Sequence, residues 1–131
     1  MKARIKDTVK RQVLCVNLDE EKKRLVEAAC SADRAEMISA SAEQGAEKVG
    51  AFFGLNGYSF SGRRDITVSA EVLVISGFDD TELRQFVSRL RQLGARIPLK
   101  AAVTEHNKDW TLSQLIGHLT EEHEYMNRKQ N

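Results

Sequence analysis

Residues 72–126, VLVISGFDDTELRQFVSRLRQLGARIPLKAAVTEHNKDWTLSQLIGHLTEEHEYM, decide the fold, because each local signal in this stretch agrees with its neighbours. Val72-Leu73-Val74-Ile75 is an apolar, β-branched run ending near Gly77, the pattern of a buried strand. Asp79 with Glu82 forms a capping box, and Phe78 is placed to staple onto Leu83. Leu83, Phe86, Val87, Leu90 and Leu93 then recur at helical spacing until Gly94, which suits the left-handed residue after a helix. A strand over 97–103 follows, and a polar loop leads to a last helix. Thr111 and Gln114 form its box, Trp110 and Leu115 its staple, and Leu112, Leu115, Ile116, Leu119 and Met126 its apolar face.

The residues Ser76-Gly77-Phe78, Glu82-Leu83, Pro98-Leu99-Lys100-Ala101, Thr104, Asn107, Trp110-Thr111-Leu112, Glu122-His123 and Met126 together make this part of the chain similar to the bacterial domain of unknown function 3783 family. The resemblance implies a small α/β domain of cytoplasmic proteins. It implies no activity, and a fold by itself does not specify one.

Working outward, an earlier stretch reads as a weaker copy of the same programme. Val13-Leu14-Cys15-Val16 precedes Leu18-Asp19 as Val72-Leu73-Val74-Ile75 precedes Phe78-Asp79. A weak strand at 36–40 precedes Ser41 and Gln44, a box that corresponds in this reading to Thr111 and Gln114, with Ala46, Val49 and Phe53 on the helix that follows and Gly54 ending it. The expectation is one α/β domain of two βαβα halves, 12–54 and 72–127, joined by a loop over 55–71, with frayed ends at 1–10 and 128–131. The predicted sheet is mainly parallel and four-stranded, of order 2-1-3-4, with helices on both faces. Pro98 places the fourth strand at an edge, and 66–68 is expected to extend the third strand.

Composition narrows the function classes. The chain has 131 residues, 41% of them hydrophobic and 30% charged, with a net charge of +1. Such a balance is ordinary for a soluble protein and argues against a dedicated nucleic-acid binder. No apolar run reaches the roughly 20 residues of a membrane span, and the charged start lacks a signal-peptide core, so a cytoplasmic location is expected. Cys15 and Cys30 have no CxxC spacing and read as buried apolar residues of a reducing compartment.

Three places are candidates for function. If the first and third strands lie side by side, their carboxyl ends gather Asn17, Asp19, Ser76, Gly77, Asp79 and Asp80 into a ligand cleft, although the aspartates are also needed as helix caps. The loop carrying Thr104, His106, Asn107 and Trp110 is the second; only Thr104 could serve His106 as a nucleophile, and bracing of the turn explains these residues better. The long connection offers Tyr58, Phe60, Arg63 and Arg64 as a contact surface, but its glycines match no phosphate-loop spacing. Arg84, Arg89, Arg91, Arg96 and Lys100 read as a solvated basic face. His118, Glu122 and His123 cannot converge on a metal, because His123 points away from the face the other two share. No catalytic residue, metal or cofactor is therefore expected. The leading expectation is a non-enzymatic binding or regulatory module with a protein partner or self-association, the docking edge being the second strand; the alternative is a small-molecule or nucleotide-binding protein using the cleft.

Overall fold

Val13–Val16 and Val72–Ile75 are at most 2% exposed, so both strands must be covered on both faces, and the helices divide into two layers to do it. The computed structural model describes residues 10–130, with side chains to Arg128; all but Lys10 of the arm expected at 1–10, and the last residue, lie outside the described residues. The elements are β1 (Gln12–Val16), α1 (Glu20–Ala32), β2 (Glu36–Ala40), α2 (Val49–Phe52), β3 (Val72–Ser76), α3 (Asp80–Leu93), β4 (Leu99–Ala102), a 3₁₀ turn (Asn107–Asp109) and α4 (Leu112–Gln130). The strand order is β2-β1-β3-β4, as the sequence predicts. α4 continues through Gln130, where a frayed end was expected.

The outer pairs β1–β2 and β3–β4 are parallel, but the central pair β1–β3 is antiparallel, with Gln12 opposite Ser76 and Val16 opposite Val72. The reason lies in the layers. Val26 and Cys30 of α1 share one core with Phe86 and Leu90 of α3, so both crossover helices lie on the same face of the sheet. With right-handed crossovers leading outward from the centre on one face, the two central strands must run in opposite directions. The opposite face is covered by α2 and α4 through Val49, Phe53, Leu112, Leu115 and Ile116.

The antiparallel centre makes the halves symmetric about an axis through the sheet, and the later correspondence is shifted from the expected one. Lys48, the residue before α2, bridges Thr111, the residue before α4. The Val49 N–H donates to the Trp110 carbonyl, and the Leu112 N–H donates to the Glu47 carbonyl, a reciprocal pair. Val49, Phe52, Phe53 and Gly54 recur 63 residues further on as Leu112, Leu115, Ile116 and Gly117.

The helix expected from Ser41 is consequently a turn followed by a single helical turn. Gln44 Oε1 still accepts from the Ser41 N–H, but the Ser41 hydroxyl accepts from Glu43 rather than Gln44. Gly45 lies against the backbone of Ile66, where a Cβ would stand 2.7 Å from the carbonyl oxygen. Gln44 bridges Ile66, and the Val68 N–H donates to the Ala42 carbonyl. Residues 66–68 thus pair with this turn and do not extend β3. α2 ends at Phe52, and the chain leaves it through Gly54, whose φ of 65° suits glycine. α4 instead runs past Gly117 along the sheet.

Helix ends follow the sequence closely. Asp79 and Glu82 complete the capping box, and Gly94 closes α3 at φ 84°. Thr111 and Gln114 exchange both bonds of the second box. Met126, expected on the apolar face, is exposed at the rim of a shallow hollow beside Leu99 and Lys100 of β4.

Candidate functional site

The antiparallel centre takes the expected cleft apart. Asn17 and Asp19 lie beyond Val16, whose partner is Val72, whereas Ser76, Gly77, Asp79 and Asp80 lie at the other end beside Gln12. The carboxyl ends of β1 and β3 therefore face opposite rims of the sheet, and the six residues do not form one site.

At one rim, Asn17 adopts φ 60° and its side-chain amide donates to the carbonyls of Val68 at 3.0 Å and Ala70 at 3.1 Å. Asp19 caps α1 by accepting from the Lys22 N–H. At the other rim, Gly77 adopts φ 89°, the symmetric counterpart of Asn17, and a Cβ there would stand 2.0 Å from the Lys10 carbonyl oxygen. Arg11 covers this rim: it pairs with Glu82, donates to the Asp33 carbonyl at 2.8 Å and lies over the Phe78 ring. Ser76 is thus engaged in strand pairing, Gly77 in close packing on the Lys10 backbone and Asp79 in capping.

The 104–110 loop is braced from within. The Thr104 hydroxyl accepts from the His106 and Asn107 backbone N–H groups. The buried Asn107 side chain accepts from the Thr104 N–H and donates to the Ala102 carbonyl, both at 2.9 Å. Trp110 stacks on His118 with ring centroids 4.4 Å apart and packs against the α4 core. Only the backbone N–H of His106 meets the Thr104 hydroxyl; its imidazole is not joined to Thr104.

One buried acid went unremarked in the sequence. Glu47 is 2% exposed, and its carboxylate accepts from the Ser61 N–H at 2.7 Å, the Ser61 hydroxyl at 3.1 Å and the Gly62 N–H at 2.9 Å. The connecting loop does wrap an anion, and that anion is the chain's own carboxylate. Burial alone pushes the Glu47 carboxyl up, but the bonds from Ser61 and Gly62, with Arg63 nearby, outweigh it and hold the group below its ordinary value. No local pattern marks Glu47; only its neighbour Gly45 hints at a close approach.

The thiols are unsuited to reaction. Cys15 and Cys30 are buried. Burial pushes Cys15 up to about 11 and Cys30, with added repulsion from nearby negative groups, up to about 12.

A concave surface does form where α3 ends and the chain turns into β4. This cavity of about 560 Å³ has Leu90, Ile97 and Pro98 in its wall and Arg91, Arg96 and Lys100 around it, and among the described residues no acidic side chain lines it. The Lys100 ammonium donates to the Ile97 carbonyl at 2.6 Å. Burial, and after it the neighbouring Arg91, pushes this ammonium below its ordinary value.

These features define a small three-layer α/β domain, built on a mixed sheet whose polar side chains mostly serve the fold. A family model, Domain of unknown function (DUF3783), matches residues 71–126, from the approach to β3 into α4. The matched part excludes β1, which covers one side of β3. No curated protein and no solved structure matches the chain. Among the described residues no group of three or more His, Cys, Asp and Glu is arranged to hold a metal, and no helix is long and apolar enough to cross a membrane.

Proposed function

We propose that the protein is a non-enzymatic binding module that pairs, through the outer edge of β2, with a second copy of the chain. The contrast between the two sheet edges carries this reading. In β4 the Val103 N–H faces β3, so Lys100, Ala102 and Pro98 point their backbone outward. Pro98 has no N–H to offer there, and the Ala102 carbonyl is taken by Asn107. That edge is blunted at both ends.

β2 carries no such device. The Glu36 N–H donates to the Arg11 carbonyl, so Met37 and Ser39 present their N–H and C=O groups outward. Among the described residues no hydrogen bond reaches those groups. A two-fold pairing centred on Ile38 sets Met37 opposite Ser39 of the second copy, as an antiparallel hydrogen-bonded pair requires, and sets Glu36 opposite an alanine rather than another acid. The engagement of Asp19, Asp79, Glu47, Thr104 and both thiols in the fold supports recognition over chemistry.

Light scattering tests it. The expected mass is twice the 14.7 kDa of the chain, falling to the single-chain mass in Ser39→Pro, which removes an outward donor and leaves the β1 ladder intact. A wild-type chain that stays monomeric on concentration overturns the proposal.

A further inference from the structure

We infer that the cavity between the end of α3 and the start of β4 binds a small phosphate ester with an apolar body, its dianionic head among Arg91, Arg96 and Lys100 and its body against Val87 and Pro98, with the buried Leu90 and Ile97 behind them. The site is separate from the β2 edge, and the inference does not rest on the dimer.

Charge and shape argue together. Elsewhere in the fold several cations are ion-paired, Arg11 with Glu82, Lys22 with Glu71, Arg89 with Asp33 and Lys108 with Glu105. Arg91 and Arg96 have no ion pair among the described residues, and Lys100 meets only a carbonyl. Three cations thus surround one hollow with no carboxylate among them. Like charges gathered on one hollow repel one another, and a bound dianion relieves that repulsion. Arg91, in the last turn of α3, also opposes the negative end of the helix. That role explains one of the three cations; Arg96 and Lys100 arrive from beyond the helix.

The wall selects the rest of the ligand. Leu90 and Ile97 are each 2% exposed, so the hollow is backed by the α1/α3 core rather than by mobile side chains. Its size falls in the range of about 300–1,000 Å³ typical of small-molecule sites, which combine apolar walls with a few polar anchors. Guanidinium groups also match phosphate oxygens in geometry.

The test is titration of the isotopically labelled chain with phenyl phosphate, followed by amide NMR shifts. Saturable shifts confined to the amides of residues 87–100 are expected. Inorganic phosphate should bind more weakly, since it lacks the apolar body. The double variant Arg91→Gln/Arg96→Gln, both sites being exposed, should keep the wild-type spectrum elsewhere and weaken phenyl phosphate at least about tenfold, equivalent to about 1.4 kcal/mol. Shifts that do not saturate, equal affinity for the two phosphates, or an unchanged affinity in the double variant would each overturn the inference.

Discussion

Glu47→Ala isolates the polar contact that ties the connecting loop to the domain. The carboxylate accepts three hydrogen bonds from Ser61 and Gly62 while itself 2% exposed. Hydrogen bonds to a charged group contribute roughly 1.5–3 kcal/mol each in favourable settings. Ser61 and Gly62 are exposed residues, so water replaces much of what the loop amides lose, and desolvation of the acid offsets part of the gain. The expected cost is therefore about 1.5–3 kcal/mol for the whole contact, or roughly 5–10 °C in melting temperature for a domain of this size. Because Glu47 is titrated below its ordinary value of 4.5 in the folded chain, its contribution is complete above that pH and is lost as the pH falls through the folded value. Wild type should thus lose more stability on acidification below about pH 4.5 than Glu47→Gln does. Thermal melts at neutral and acid pH measure both effects. Trypsin gives a local readout, since Arg63 and Arg64 are exposed already and release of the loop frees their backbone to enter a protease site. If melting temperature and cleavage rate are both unchanged in Glu47→Ala, the acid does not hold the loop and the reasoning fails.

Two further substitutions probe the frame. Gly77→Ala places a Cβ 2.0 Å from the Lys10 carbonyl oxygen at a positive φ, and should destabilise the chain by more than about 2 kcal/mol in denaturant unfolding, whereas Gly57→Ala, at the same positive φ but with open space around it, should cost only the backbone strain of about 1–2 kcal/mol. Trp110→Ala removes a half-buried ring stacked on His118 and should cost roughly 1–4 kcal/mol; an unchanged unfolding midpoint would show that the ring is a surface contact rather than a helix staple.

The legible parts of the fold were those encoded by contiguous residues. The buried runs at 13–16 and 72–75 need two covering layers, and the Asp79–Glu82 and Thr111–Gln114 boxes satisfy helix N–H groups within one turn, so chemistry and spacing alone specify them. Strand order followed from the repeated pattern and Pro98. The Ser41–Gln44 box was legible too, yet it did not nucleate a helix, because Gly45 is drawn against Ile66 and the Glu47 carboxylate against the 61–62 loop. The recurrence of Val49, Phe52, Phe53 and Gly54 as Leu112, Leu115, Ile116 and Gly117 was the signal that could have corrected the alignment of the halves.

By itself, then, the sequence determined element types, most helix ends, the order of the strands and the presence of two helical layers, since each depends on periodicity or on neighbours within a few residues. Strand direction at the centre was decided only in three dimensions. It depends on whether α1 and α3 share a face, and that is settled by the fit of Val26 and Cys30 against Phe86 and Leu90, residues far apart in the chain. The same choice dispersed the cleft expected at Asn17, Asp19, Ser76, Gly77, Asp79 and Asp80 to opposite rims. The turn from α3 into β4, for its part, sets Arg91, Arg96 and Lys100, which the sequence shows only as solvent-facing charges, around one apolar hollow.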